Sequence, residues 1–481
     1  MALGKSLPKV VAFLAAAVNL AFAQPIATFG PTGHLTTERA FHTATLLTNG
    51  KVLVAGGWAT LAGWPVWASA ELYDPSARTF SATGSMTTPR VGHTSTLLPD
   101  GRVLVAGGDT IVGGWGNSAQ AAAELYDPST GTFQPTASMN SPRTFHTATL
   151  LNTGNVLITG GFTYDNGRQT SQASAELYDP LTSTFKPTGS MITARAWHTA
   201  TLLPSGKVLI DGGDTNTAEL YDPATGTFSS TGVTPFADVE TTTVLANGKV
   251  LSTIGDLGDF DNQAALYDPL NGTFTPTAKM TVSRGYTTAT LLPAGSVLIY
   301  GRDEMHDGGS AEVYDPVTAT FNPANGLFPE SEEGHTATLL PDGTVLLAGG
   351  WICCGFSVAN AVIYVPAMLT PSPVLFTLSD GVQGAVWHAT TGVIATAANP
   401  ASAGEALSMY TKNLIDGGAI PPRVVVGGKL AEILYFGDAP GYPGYFQVNF
   451  RVPDGVPSES AVSVRLIYLN RPSNAVAIGV R

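Results

Sequence analysis

Charge and cysteine are what this 481-residue chain has least of. Only 12% of its residues are charged, against roughly 25% in an average globular protein. Lys and Arg number 23 against 36 Asp and Glu, a net charge of −13. A nucleic-acid footprint needs clustered cations, so the sign of this balance excludes nucleic acid as a partner. Two cysteines exclude a small fold stapled by disulfides. Long apolar runs are also missing: after Val10–Ala23, no segment approaches the ~20 residues of a membrane-spanning helix. Apolar residues (44%) and glycine (54 residues) are plentiful. The chain is too apolar for disorder and reads as a soluble protein rich in turns and strands.

Lys5 and Lys9 precede the single apolar run, which closes on Ala21-Phe22-Ala23, a small-x-small cleavage pattern before Gln24. Residues 1–23 are therefore expected to be a signal peptide. The product is expected to be secreted, extracellular or periplasmic, with no transmembrane segment.

Internal repeats organise the rest. H-T-A-T-L-L begins at His42, His146, His198 and His335, and His93 opens the variant H-T-S-T-L-L. Glu240 and Thr287 hold the same position in two degraded copies. Each copy runs through a glycine turn into an apolar V-L-x-x-G-G strand, a variable loop, an A-E-L-Y-D-P-like strand and a T-G-T-F-like strand. Turn signals thus separate four short strands, a to d, in every copy. Seven such units can bury their faces only against one another, which predicts an all-β, seven-bladed β-propeller over residues 24–366. The G-G pair after strand b, the Tyr of strand c and the Phe of strand d resemble the Kelch repeat. Copy seven stops after strand c at Tyr364, while Ala27–Leu35 matches the strand-d segment Arg78–Met86. The N-terminal strand is expected to complete blade seven, which removes an open sheet edge.

Arg stands three residues before the His position in five copies (Arg39, Arg90, Arg143, Arg195 and Arg284). Glu precedes the c-strand Tyr by two in the same five: Glu71, Glu124, Glu176, Glu219 and Glu312. Both vanish together in copies five and seven, which have Ala237 with Ala265 and Glu332 with Val362. Losing one member of a buried ion pair is far more damaging than losing both, so these are read as structural pairs within each blade. The repeat histidines are read as structural too, because equivalent positions spread round a ring do not converge on one metal ion.

Pro366–Pro373 is punctuated by proline, giving a linker at 367–373. Residues 374–481 alternate in stretches such as Ala406–Tyr410, Arg423–Val426, Phe446–Val452 and Ala461–Tyr468, the pattern of an immunoglobulin-like β-sandwich. Its G-A-V-W-H-A-T-T-G and P-G-Y-F-Q-V-N-F-R-V-P are similar to a domain appended to many secreted bacterial proteins. That resemblance implies a stabilising or presenting role.

Tryptophan breaks the symmetry of the ring. Trp58, Trp64 and Trp67 fall in the b–c loop of blade one, Trp115 in that of blade two and Trp351 in that of blade seven. These blades are consecutive once the ring closes. Exposed apolar clusters mark binding surfaces, so a groove here is the first candidate site, for an extracellular glycan or protein. Packing of the long loops on themselves is the competing reading. Cys353-Cys354 lie in the blade-seven loop; Cα atoms about 3.8 Å apart fall short of the usual ~4.4–6.8 Å span. A strained vicinal disulfide, free thiols and intermolecular bridges all remain open. Asp256, Asp259 and Asp261 in blade five form a hard-cation-like loop without a full ligand pattern.

The blade-seven string G-H-T-A-T-L-L-P-D-G-T-V-L-L-A-G-G-W-I-C-C-G resembles the galactose-oxidase-like copper enzymes, with their Y-H-containing strand, diglycine and cysteine-bearing loop. The resemblance implies a copper oxidase of alcohols or sugars, with His335 as a copper ligand and Tyr286, in Arg284-Gly285-Tyr286, as the radical tyrosine. This chain departs from that pattern. Gly334 replaces the axial tyrosine, no Cys precedes Cys353 for the tyrosine crosslink, and the local sequence of His388 does not match. A monomeric, non-catalytic binding propeller without cofactor is the first expectation, the copper oxidase the second, and a structural extracellular protein the third. Fold alone does not choose among them.

Overall fold

The computed structural model describes residues 27–60, 64–111, 119–165, 168–213, 215–255, 262–303, 308–324, 333–352, 356–415 and 417–481. The expected signal peptide, Trp115, Cys353-Cys354 and the blade-five Asp256, Asp259 and Asp261 lie outside them. Among the described residues every regular element is a strand, and no helix is long and apolar enough to cross a membrane.

Seven four-stranded antiparallel sheets follow one another along the chain. In blade one, strands a (Thr43–Leu46), b (Val52–Ala55), c (Ala70–Asp74) and d (Thr79–Ala82) pair in that order. Strand b is apolar throughout because neighbouring blades cover it on both faces; Val52, Leu53, Val54 and Ala55 are fully buried. The N-terminal strand Thr28–Pro31 pairs with strand c of blade seven, Ala361–Val365, with Thr28 opposite Val365 and Pro31 opposite Val362. The ring closes as the sequence predicts.

The repeat columns explain how blades adhere. Tyr73 of strand c packs on Phe80 of strand d, ring centres 4.8 Å apart. Its hydroxyl reaches Thr32, on the connection leaving the previous blade, at 2.7 Å. The same two contacts recur with Tyr126, Phe133 and Thr83, and with Tyr221, Phe228 and Thr188. The five Arg–Glu pairs form, and all are buried: Arg39–Glu71 at 2.9 Å, Arg90–Glu124 at 3.1 Å, Arg143–Glu176 at 3.0 Å, Arg195–Glu219 at 3.1 Å, and Arg284–Glu312. Each binds more than its partner. Arg39 Nη1 also donates to Gly56 O at 2.7 Å, and Glu71 accepts the Thr36 N–H at 2.6 Å. The pair thereby fastens the d–a connection to strands b and c.

Residues 374–481 form one continuous curled sheet rather than the two separate sheets expected of a sandwich. The cause is one long strand, Lys429–Asp438. It pairs with Arg423–Val426 through residues 429–431 and with Phe446–Arg451 through 432–438, with a bulge between Ile433 and Tyr435. A bulge bends a strand, and this one carries the sheet round a corner to enclose a core that includes Val424, Val448, Phe450 and Leu466. The domain sits against the a–b turns. Arg423 Nη2 donates to Leu150 O at 2.9 Å, and the Ala419 N–H to Ala246 O at 2.6 Å. Burial pushes the Arg423 guanidinium down to about 10. The opposite face of the ring, built from d–a and b–c loops, lies away from these contacts.

Candidate functional site

On that face, the residue preceding each repeat His position brings the blades together: Phe41, Gly92, Phe145, Trp197, Val239, Tyr286 and Gly334. Six of these are left-handed, at φ 52°, 64°, 51°, 56°, 51° and 64° for Phe41, Gly92, Phe145, Trp197, Tyr286 and Gly334. For a bulky residue this conformation is strained by about 1–3 kcal/mol, and such strain clusters at functional sites. Neighbouring blades support it. The Phe41 N–H donates to Gly334 O at 2.8 Å, the Phe145 N–H to Gly92 O at 2.8 Å and the Trp197 N–H to Phe145 O at 3.2 Å. Phe41 of blade one lies 6.3 Å from Trp197 of blade four and 5.8 Å from Tyr286 of blade six. Blades that are not neighbours meet only on the axis, so these rings pack on one another there, in the funnel that the seven blades surround. Glycine at 334 makes room: a Cβ there would fall 2.7 Å from the Phe41 ring.

A second tier comes from the residue after the diglycine. Trp58 bridges Ala40, and Trp351 bridges Glu333, which sets the two indoles on adjacent blades 6.1 Å apart. Trp58 is buried, stacked on Phe41 at 6.4 Å and on the exposed Trp64 at 5.2 Å. Three of the expected tryptophans therefore join one aromatic wall that continues to the axis. Trp67 turns away, its Nε1 donating to Glu38 O at 3.0 Å. The inner rings Phe41, Phe145 and Trp197 were not anticipated. The signal was the column before the histidine, which holds an aromatic residue in four copies, glycine in two and valine in one.

The repeat histidines form a belt. Nε2 of His42, His93, His146, His198 and His335 bonds to Thr336, Thr43, Thr94, Thr147 and Thr288 of the preceding blade, at 3.0–3.1 Å. Burial, followed by the arginine three residues back, pushes His42 and His146 well below the ordinary value and His93 and His198 to about 3. These are neutral, structural imidazoles. Blades five and six depart from the belt and bring charge to the funnel. Thr287 Oγ1 donates to Glu240 Oε2 at 2.8 Å. A Cβ on Gly255 would fall 1.8 Å from that oxygen, so the glycine is required for the carboxylate to lie there. Arg302 pairs with Glu333, whose carboxyl is pushed up by burial and pulled back by that arginine. Burial, then the carboxylates of Glu333 and Glu240, pushes the Tyr286 phenol up. The aromatic rings at the axis thus meet, at blades five to seven, the Tyr286 phenol, on which the carboxylates of Glu240 and the buried Glu333 and the Arg302 guanidinium act.

The histidines named by the copper resemblance have the following partners. His335 makes the same threonine bond as the four other belt histidines, and its ring stands edge-on to Tyr300. Gly334 offers no side chain, and Phe41 occupies the space beside it. His388 lies in the C-terminal domain with both nitrogens engaged, Nδ1 by Glu405 at 2.5 Å and Nε2 by Asn399 O at 3.0 Å. Among the described residues no three His, Cys, Asp or Glu side chains group to hold a metal ion.

Over its whole length the chain is similar in structure to a fungal alcohol oxidase of the AA5 family solved in complex with copper. The TM-score is 0.61, over 95% of this chain and 99% of that one, at 18% identity. A likeness at this identity shows the fold alone, a seven-bladed propeller followed by a further all-β domain. No protein-family model and no curated protein matches the sequence.

Proposed function

We propose that the axial funnel binds a small hydroxyl-bearing molecule, an alcohol or a sugar, on a galactose-oxidase-like scaffold exported from the cell. The observation that carries this reading is the strained cluster at the axis, which gathers Phe41, Phe145, Trp197 and Tyr286 and sets the Tyr286 phenol in the field of Glu240 and Glu333. Aromatic faces take the apolar C–H face of such a ligand. Carboxylates accept hydrogen bonds from its hydroxyls, and the protonated Tyr286 phenol donates one. Titration of intrinsic tryptophan fluorescence with primary alcohols and monosaccharides tests it. Trp197→Ala and Glu240→Gln are each expected to weaken binding about tenfold, the ~1.4 kcal/mol of one good contact. Undiminished binding in both variants would remove the funnel from consideration.

Alcohol oxidation is the second reading. Whole-chain likeness to a copper-bound alcohol oxidase supports it better than the non-catalytic glycan binder expected from the tryptophan loops. Copper analysis of protein incubated with Cu(II), with peroxide release on the same alcohols, decides it. One copper per chain with peroxide release, both lost in a His335→Ala variant of unchanged melting temperature, establishes the oxidase. No copper and no peroxide leaves a binding protein.

A further inference from the structure

We propose that the outer face of the C-terminal sheet is a second, independent site that takes a neutral polysaccharide chain. Four strands lie side by side there: Val386–His388, Ala406–Lys412, Phe446–Arg451 and Lys429–Asp438. Leu407, Met409, Val448 and Phe450 point into the core, so the alternate residues face out. The register aligns one row across all four strands: Trp387 opposite Ser408, Ser408 opposite Asn449, Asn449 opposite Tyr435. Three strand spacings set the two rings roughly 14 Å apart.

This row has aromatic ends and a polar middle. Tyr435 brings the hydroxyl end of its ring over Gly437, where a Cβ would fall 2.9 Å from that hydroxyl, and is 44% exposed. At the other end Trp387 packs edge-on to Tyr410 at 5.5 Å, and Tyr410 approaches the exposed Tyr442 at 6.5 Å. Between them, Ser408 Oγ and Gln447 Nε2 both donate to Asn449 Oδ1, at 2.8 and 2.9 Å. With that oxygen filled, Asn449 Nδ2 and Gln447 Oε1 have no hydrogen-bond partner among the described residues, leaving one donor and one acceptor on the surface. Beside Tyr435 and Arg451, a cleft of about 860 Å³ continues toward Asn152 and Pro204 of the propeller.

Rings that stack on C–H faces, flanking amides that bond hydroxyls, match the two surfaces of a pyranose. Charge selects the kind of polymer. Lys412 sits over the Tyr445 ring at 4.4 Å, and Arg451 pairs with Glu432 at 2.8 Å. The face is close to neutral on a chain of charge −13, whose field repels polyanions. Affinity electrophoresis of the full chain through gels containing galactomannan, xyloglucan, mixed-linkage β-glucan or polygalacturonate tests the proposal. At least one neutral polymer should retard the protein, and polygalacturonate should not. Trp387→Ala/Tyr435→Ala should weaken that retardation tenfold or more and Asn449→Ala severalfold, while Trp387→Phe retains most of it. Melting temperature and small-molecule binding in the funnel should be unchanged, so the two sites succeed or fail separately. Passage unretarded through all three neutral gels, retardation insensitive to the double variant, or equal retardation by polygalacturonate would overturn it.

Discussion

Gly349, in a diglycine, and Gly154, in an a–b turn, are both repeat glycines and do different work. Both are left-handed, at φ 62° and 90°. A Cβ on Gly349 would fall 2.5 Å from Arg39 O and 2.6 Å from the His42 ring of the next blade, whereas one on Gly154 would meet nothing within 4 Å. Gly154→Ala should therefore lose only the backbone preference, about 1 kcal/mol. Gly349→Ala adds a clash with backbone and should lose about 3 kcal/mol or more. Urea unfolding of the two variants distinguishes them, and equal losses would refute the clash. The diglycine was legible as a recurring pair. Its reason, that the first glycine receives the histidine of the following blade, was not, because repeats show columns and hide contacts between copies. Asp211 carries the opposite lesson. It is buried in strand b of blade four, where blades one and two have Ala55 and Ala106, and accepts bonds from Thr234 at 2.5 Å and Ser252 at 3.1 Å. Burial pushes its carboxyl up. A folded pKa above the unfolded value means stability that is present below pH ~4 and lost as pH rises. Asp211→Asn should therefore melt higher than the native protein at pH 7, with the gain shrinking toward pH 4.

At the scale of the element, the Arg–Glu pairs were legible because their columns disappear together. Arg90 and Glu124 are 0% and 1% exposed. Arg90→Met would strand a buried carboxylate and should lose about 3–5 kcal/mol. Arg90→Met/Glu124→Leu should regain part of that, as blade five stands with alanine at both places. The recovery stays incomplete because the Thr87 N–H, which Glu124 accepts at 2.7 Å, is left unpaired. A double variant no more stable than Arg90→Met would show that the carboxylate is not what the arginine neutralises. The strand Lys429–Asp438 was harder to see. Its bulge at Leu434 breaks the two-residue alternation that marks a strand, exposing Leu434 and Tyr435 in succession. The funnel was hidden for a related reason. Phe41, Phe145 and Trp197 each occur singly in a loop, and only closure of the ring brings them to one axis. Trp197 and Trp387, the two tryptophans outside the b–c loops, anchor the two candidate sites.

Across the whole molecule, closure and the histidine belt act on the same ring. Strand Thr28–Pro31 supplies the fourth strand of blade seven and joins the two ends of the circle by strand pairing, beside the His42–Thr336 and Phe41–Gly334 bonds between blades one and seven. Without it, strand Ala361–Val365 becomes an open edge; a chain starting at Thr32 should aggregate on refolding, as light scattering would report. The belt ties that ring to pH. His42, His93, His146 and His198 are buried neutral, with pKa values pushed down, to about 3 for His93 and His198. The unfolded chain binds those protons near pH 6.5. A folded pKa below the unfolded one gives stability that is whole above pH ~6.5 and is lost as pH falls toward 3, on the order of 1.4 kcal/mol per pH unit for each histidine. Asp211 opposes this with one group against four. Urea midpoints should consequently fall steeply between pH 6.5 and 5, with several protons taken up on unfolding. His93→Gln, which can still bond the Thr43 hydroxyl, should reduce that uptake by about one proton. A flat profile across this range, or an unchanged slope in the variant, would mean that the belt is not what makes the ring sensitive to acid.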